Sequence, residues 1–499
     1  VSAAPVVPPF AAESAACRAA QRAWAALSVR DRLRPVRELR HLLVDRAEDL
    51  FAAEQADVGR SSLDVLATEL LPAASALKFL QCEAARVLAP RKVSGRLRPT
   101  WLLGCRDVVY RRPWGVVGVI GTWNYPVYLN VGPIAAALTA GNGVLWKPSE
   151  NAPRTAELIR RLFLEAGFPP DLLILLPATR EAGPLVAEAD VDHVVFTGSD
   201  TVGRRLASRL GERLIPSTLE LSGCDPMVVL ADADVRLAAD AAWFGLTMNR
   251  GQTCIAVRRA FVQRGRYAAF AERLGALAAG AKPVELVTES QRAQAERLVT
   301  DAIERGARFL PSPARGEGWK AAVAPFGAPF PPTVLLDCTP EMAICREASF
   351  APLCAVVPFD TVDDAVSLAL RCPFGLSASV FTADVRAAEE LAARIPTGSV
   401  VVNDLIASTA HPATPFGGRG ASGWGVTQGP DGLLAMTVPQ AVSVRRWGLR
   451  PHIDEAVNPD PEATADVLRG LLRASHARGM RAWLGGVWQM VRGLRRKKR

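Results

Sequence analysis

Two hydrophobic rhythms divide the chain. Over residues 14–90 apolar positions recur three and four residues apart, as Val36, Leu39, Leu43, Ala47 and Leu50, with Arg, Glu and Asp between them. That spacing places one apolar stripe on a helix and predicts helices that pack through a single face. After Pro90 the rhythm shortens. β-Branched runs stand at 116–120 (VVGVI), 143–147 (GVLWK), 172–176 (LLILL), 193–197 (HVVFT) and 227–230 (MVVL). Helical patterns such as 151–166 and 200–211 lie between most of them. Strands alternating with helices predict parallel pairing in a doubly wound α/β sheet. A second such series follows Cys254, with strands near 259–263, 355–359, 377–382 and 399–403 and helices near 267–279, 290–306 and 384–394. The stretches 100–112 and 437–447 predict a small sheet or a dimer arm, and the Pro- and Gly-rich residues 311–332 a surface loop.

At 499 residues the chain is too long for one small core and predicts two or three domains. Composition changes the picture little, but charge does. The formal balance is +9, yet residues 469–499 hold ten Lys/Arg and no Asp/Glu, so the rest, with 49 basic and 50 acidic residues, is near neutral. A near-neutral body gives no reason to expect a nucleic-acid substrate. The nine cysteines are odd in number and form no C-x-x-C pair, which fits a reducing compartment and argues against a disulfide framework or cysteine zinc site. Five scattered histidines leave little for a metal centre, so none is expected. Residues 1–16 lack the basic and apolar regions of a secretory signal, and no run approaches the ~20 apolar residues of a spanning helix. The expectation is a soluble cytoplasmic body.

Candidate chemistry begins with GQTC, Gly251–Cys254, at the end of a helical run over 238–250. A lone cysteine is most often a buried small hydrophobe. Glu220, in LELSG on the strand-like segment 217–221, adds a general base, and nucleophile plus base is what covalent chemistry at a carbonyl requires. Asn124, in WNYP after the strand 116–120, adds an amide able to donate to an oxyanion.

In that order, and with PWGVVGVIGTWNYPV (113–127), AGNGVLWKPSE (140–150), FTGSDTVGR (196–204), MNRGQTC (248–254) and NDLIASTAHPATPFGGRGASGWG (403–425), the chain resembles the aldehyde dehydrogenase superfamily over roughly residues 15–447. It is most similar to the class 3 branch, which acts on fatty or aromatic aldehydes. The resemblance implies two Rossmann-type α/β domains: a nicotinamide-cofactor domain over 1–221 with a β arm near 96–112, and a catalytic domain over 222–425. A return segment with an oligomerisation strand (426–450) and a basic tail (451–499) complete it. It implies a homodimer. Cys254 would form a thioester, Asn124 with the Cys254 N–H would hold the oxyanion, and Glu220 would activate water, giving a carboxylic acid. NAD or NADP would be held by Thr122, Trp123, Lys147, Ser149, Glu150, Gly198, Ser199, Gly203, Leu221, Glu347 and Phe350, and the PFGG loop (415–418) would line the substrate pocket. Glu150 favours NAD by repelling a 2′-phosphate, although class 3 relatives with the same segment use NADP as well.

Two departures weigh against a simple transfer of roles. Ser222 follows Leu221 where the family has glycine, and Ala348 stands where a ribose-holding Glu belongs, leaving Glu347 as the substitute. An acylating enzyme that passes the thioester to coenzyme A is the enzymatic alternative, but it needs no hydrolytic base. A catalytically silent binding protein is the other.

The tail lies beyond the resemblance. Met480, Trp483, Leu484, Val487, Trp488, Val491 and Leu494 share one helical face, flanked by Arg481 and Arg492 and followed by the basic residues 495–499. A basic, Trp-bearing amphipathic helix suits the surface of an anionic membrane, contacted through Met480–Arg499. The same face could instead pack on the body or a dimer partner, or the charge could meet nucleic acid or an acidic protein. Gly485, Gly486 and Gly493 count against a helix, each at about 1 kcal/mol.

Overall fold

The computed structural model describes residues 7–310, 328–448, 450, 453, 456, 457 and 459–496. Most of the expected loop 311–332, and the tail residues 497–499, lie outside the described residues. The chain forms two compact units, one made of Val1–Val87 and Pro113–Val438, the other of Leu88–Arg112 and Pro439–Arg499.

In the larger unit the first rhythm becomes the helices Ala11–Ala26, Val29–Asp45, Ala47–Val58 and Leu71–Val87. Val36, Leu39, Leu43 and Leu50 are buried, as one apolar stripe requires. A π-helical turn, Leu66–Leu70, precedes the last of these helices and turns Glu69 fully inward. Such turns insert a residue and redirect the side chains around it.

Six strands make the first sheet, in the order Gly423–Trp424, Ser217–Leu221, His193–Gly198, Val116–Ile120, Gly143–Lys147, Leu173–Leu175. The last five run parallel, and Gly423–Trp424 pairs antiparallel with Ser217–Leu221. Val116–Ile120 and Gly143–Lys147 are buried at every position, which is why their sequences read as continuous apolar runs. The strand order reverses between Val116–Ile120 and His193–Gly198, and the crevice beyond the carboxyl ends of strands at such a reversal is where ligands bind.

A seven-stranded sheet holds Arg308–Phe309, Thr333–Leu336, Leu353–Phe359, Val257–Gln263, Asp225–Val229, Ser377–Phe381 and Ser399–Val402 in that order. One expectation is corrected here. The run 227–230 reads as the last strand of the first series, but Asp225–Val229 pairs with Val257–Gln263 and Ser377–Phe381 in the second sheet. The strand run continues with little break from Leu221 to Asp225, so periodicity cannot mark the change of sheet.

The smaller unit contains a sheet of Arg91–Lys92, Cys105–Pro113 and Thr437–Arg445, close to the predicted small sheet. It also contains a hairpin of two helices, Pro461–His476 and Met480–Arg496. The glycines expected to weaken the second helix do not break it.

Candidate active site

A cleft of about 810 Å³ opens where the strand order reverses. Four strand ends of the first sheet feed it: Thr122, Trp123 and Asn124; Lys147, Ser149 and Glu150; Gly198 and Ser199; Glu220 and Leu221. Cys254 and Phe350, from segments around the second sheet, close it. Twelve of the fourteen residues singled out in the sequence are thereby brought to one cleft.

The other two, Gly203 and Glu347, lie outside its lining. Gly203 does not line the cleft. A Cβ there would come within 2.5 Å of the Leu221 side chain, so this glycine lets helix Asp200–Glu212 close on its strand. Glu347 also stays out of the cleft, in an ion pair with Arg297, while Ala348 faces in. Gln294 donates to the Ala348 carbonyl at 2.8 Å and lines the cleft beside Gln291. The PFGG loop lines neither this cleft nor the crevice behind Glu220, because Phe416 is buried in the second sheet's core.

The donors fit a dinucleotide. Ser199 caps the helix Asp200–Glu212 through the Val202 N–H at 3.3 Å, and residues 199–202 present that N-terminus to the cleft, where anionic phosphate is favoured. Lys147, buried, lies 3.1 Å from Glu150. Burial works against the charge of Glu150, but backbone hydrogen bonding, Lys147 and Arg180 more than offset it and hold its carboxyl below the usual range. Arg180 lines the cleft as well and carries no motif that sequence reading could use.

Cys254 sits just past a backbone under strain. Asn249, Arg250 and Gly251 are successively left-handed, with φ of 47°, 58° and 73°. Asparagine tolerates that region and glycine prefers it, but for Arg250 it costs about 1–2 kcal/mol. Gly251 is required sterically, since a Cβ would meet the Ala351–Pro352 peptide at 2.4 Å. Buried Arg258 holds the turn from beneath, donating to the carbonyls of Gly251, Thr253 and Ala351. Burial pushes the Cys254 thiol well above its ordinary range, and the carboxylates of Glu220 and Asp225 add to that.

Glu220 is 5% exposed, and its Oε1 has no hydrogen-bond partner. Burial raises its carboxyl to about 8, with hydrogen bonds to Thr197 and Thr427 pulling part of the way back. Asn124 is oriented on both ends of its amide. Its Oδ1 accepts from Thr122 at 2.7 Å, and its Nδ2 donates to the Gln252 carbonyl at 3.1 Å, leaving one N–H for another acceptor.

Residues 10–442 match the family model described as "Aldehyde dehydrogenase family". The chain belongs to that family. It is 34% identical to the 4,4'-diapolycopene aldehyde oxidase of Methylomonas sp, over 83% of this chain and 78% of that protein. The Mycobacterium tuberculosis aldehyde dehydrogenase complexed with NAD+ superposes with a TM-score of 0.80 at 30% identity, covering 87% of this chain and 90% of that one. An NADP-dependent enzyme of E. coli superposes with a TM-score of 0.79 at 27% identity, covering 88% and 90%. This aldehyde dehydrogenase is thus an α/β oxidoreductase acting on aldehydes.

One part of the enzyme's site is invisible in its sequence. Arg60, 2% exposed, donates to Glu69 at 2.6 Å and to the Asn124 carbonyl at 3.1 Å, and its guanidinium lies 4.8 Å from the Tyr125 ring centroid. Glu69 in turn accepts the N–H groups of Val127 and Tyr128 at 3.2 and 2.6 Å. Asn249 donates to the same Asn124 carbonyl at 2.8 Å. Burial raises both Glu69 and the neighbouring Glu54, whose Oε2 is 3.6 Å from Arg60. Arg60 therefore ties the 54–69 segment to the loop that carries Asn124. Arg60→Met leaves a buried carboxylate without its cation, which costs on the order of 3–5 kcal/mol. A denaturant midpoint unchanged from the parent would show that the clamp bears no load; Arg60→Lys should fall between the two.

Proposed function

We propose that the enzyme oxidises a medium- to long-chain aliphatic or aromatic aldehyde to its carboxylic acid through a thioester on Cys254, with NAD⁺ or NADP⁺ as acceptor. The observation that carries this reading is Glu220, a buried carboxyl whose Oε1 has no hydrogen-bond partner, in the same cleft as the Cys254 thiol. The Cys254 thiol gives up its proton to solvent as the sulfur adds to the carbonyl carbon, and the oxygen takes the free N–H of Asn124 together with the Cys254 N–H. A bound nicotinamide would supply the hydride acceptor. Lys147, Glu150 and the Ser199 helix end would hold the dinucleotide, and Phe350 and Trp123, whose ring centroids lie 6.2 Å apart, wall the same cleft. Glu220 then takes a proton from water as its oxygen attacks the thioester, releasing the acid and freeing the thiol. A hydrolytic base supports a free acid rather than transfer to coenzyme A.

The substrate class rests on a narrow crevice that shares only Glu220 with the main cleft. Its walls are mostly apolar, Phe79, Leu80, Leu129, Pro133 and Leu433 with Tyr128, and Thr427 and Gln428 add polar groups. Gly132 lines it from inside the helix Tyr128–Ala140, and nothing lies within 4 Å of where a Cβ would stand. A glycine there costs about 1 kcal/mol of helix stability against alanine, and it leaves the crevice, about 40 Å³, open along that helix face. Turnover of an aldehyde panel with both cofactors, followed as reduced-nicotinamide absorbance, tests the reading. Gly132→Phe should lower kcat/KM for octanal or benzaldehyde roughly tenfold, ~1.4 kcal/mol of transition-state stabilisation, and spare acetaldehyde. An equal loss for all three would place the chain elsewhere.

The exposed strand Thr437–Arg445, with Val442 and Val444 at 36% and 38% exposure, supports pairing of two copies as a homodimer. Sedimentation equilibrium at the monomer mass would rule this out.

A further inference from the structure

We infer that the C-terminal hairpin is a docking module for the surface of an anionic lipid bilayer, and that a glycine seam is what turns its aromatic face outward. The inference concerns the smaller unit alone and does not depend on the chemistry proposed for Cys254.

The seam is a set of backbone contacts. A Cβ on Gly486 would meet the Ala474 nitrogen at 2.5 Å and the Gly470 carbonyl at 2.8 Å. One on Gly493 would meet the Ala463 carbonyl at 2.6 Å, and one on Gly470 the Met490 nitrogen at 2.4 Å. Three glycines on two helices thus close the hairpin with almost no side-chain volume, and Ala463 and Val467 fill the remainder. Amphipathic helices in a hairpin ordinarily turn their large apolar residues toward each other. Here that role is taken by glycine, so the large residues face away. Trp483, Leu484, Trp488 and Met480 are 46–74% exposed, and Leu468 and Leu472 of the first helix are 52% and 61% exposed.

The polar contacts lie on other faces. Gln489 bonds Asp466 at 3.3 Å and Arg496 bonds Glu462 at 2.7 Å. Arg492 stands over the Trp488 ring, 5.7 Å from its centroid, at the border of the apolar face. Basic residues therefore rim an aromatic surface.

Charge selects the occupant. A second copy docked on this face would bring together two segments that each hold ten Lys/Arg and no Asp/Glu over residues 469–499. A folded acidic partner would satisfy the charge but leaves no evident reason for two tryptophans and three leucines in water. An anionic bilayer accepts both, the rings at the level of the headgroups and the guanidinium groups on the lipid phosphates. Among the described residues no helix is long and apolar enough to cross a membrane, so the hairpin lies along the surface.

Co-sedimentation of the full chain with vesicles tests this. Phosphatidylcholine vesicles containing phosphatidylglycerol should deplete the protein, and pure phosphatidylcholine at least fivefold less. Binding should fall severalfold in about 1 M salt, where the screening length is ~3 Å. Trp483→Asp with Trp488→Asp should abolish depletion and leave aldehyde oxidation unchanged, while Arg481→Gln with Arg492→Gln should weaken it only on anionic vesicles. No depletion by either vesicle overturns the proposal. Full binding by the tryptophan variant would do so too, as would a doubled mass in solution that the same variant abolishes, since that would make a second copy the occupant.

Discussion

Cys254→Ala is expected to abolish formation of reduced nicotinamide from every aldehyde the parent accepts, a loss on the order of 10⁴-fold or more. No other thiol can take over. Cys224 and Cys354 are buried in the cores and Cys17 belongs to the first helix; all nine cysteines are unpaired, but only Cys254 lines the cleft. The substitution removes one partly buried sulfur, so the fold should survive and the thermal midpoint move by only a few degrees. Retained activity at the parent rate would end the thioester reading. The raised thiol adds a second observable. With Cys254 held protonated by burial and by nearby carboxylates, iodoacetamide should modify it slowly at pH 7, because the thiolate is the nucleophile.

How far such a site can be read from sequence depends on how local its causes are. The parallel strands Val116–Ile120 and Gly143–Lys147 are legible because full burial writes itself as unbroken apolar runs. Asn124, Lys147 and Ser199 follow strands directly, so their place at the strand ends comes with the strand prediction. Glu54, Arg60 and Glu69 are the opposite case. Each is a charged residue in a helical stretch whose pattern predicts solvated polar positions, and their burial arises only when the segments 54–69, 124–128 and 249–254 meet. Glu347 was expected in the cleft because it adjoins Ala348 in sequence, yet one residue's displacement turns a side chain to the other side, where Arg297 takes it. The tail shows the same limit in reverse. The aromatic stripe was legible, but two of the three glycines that seemed to weaken its helix, Gly486 and Gly493, gain their meaning from a second helix lying against them.

Glu220→Gln should separate the two halves of the reaction. In the proposed reaction acylation needs Cys254, Asn124 and the hydride acceptor, whereas hydrolysis needs a base for water. The amide keeps the shape and burial of Glu220 but cannot take a proton, so the variant should release about one equivalent of reduced nicotinamide per site and then stall, with steady turnover down by 10²–10⁴-fold. Mass spectrometry should find the acyl group on Cys254. In the parent, the carboxyl at about 8 predicts a deacylation rate that climbs as pH rises through that value and falls away below it, because only the ionised form is a base. The burst of the Gln variant should lack this dependence. An acid product made at the parent rate by Glu220→Gln, or a flat parent profile between pH 6 and 9, would assign the water to another group. Hydroxylamine attacks a thioester without a base, so it should restore turnover of the stalled variant, and failure to do so would place the block before the thioester.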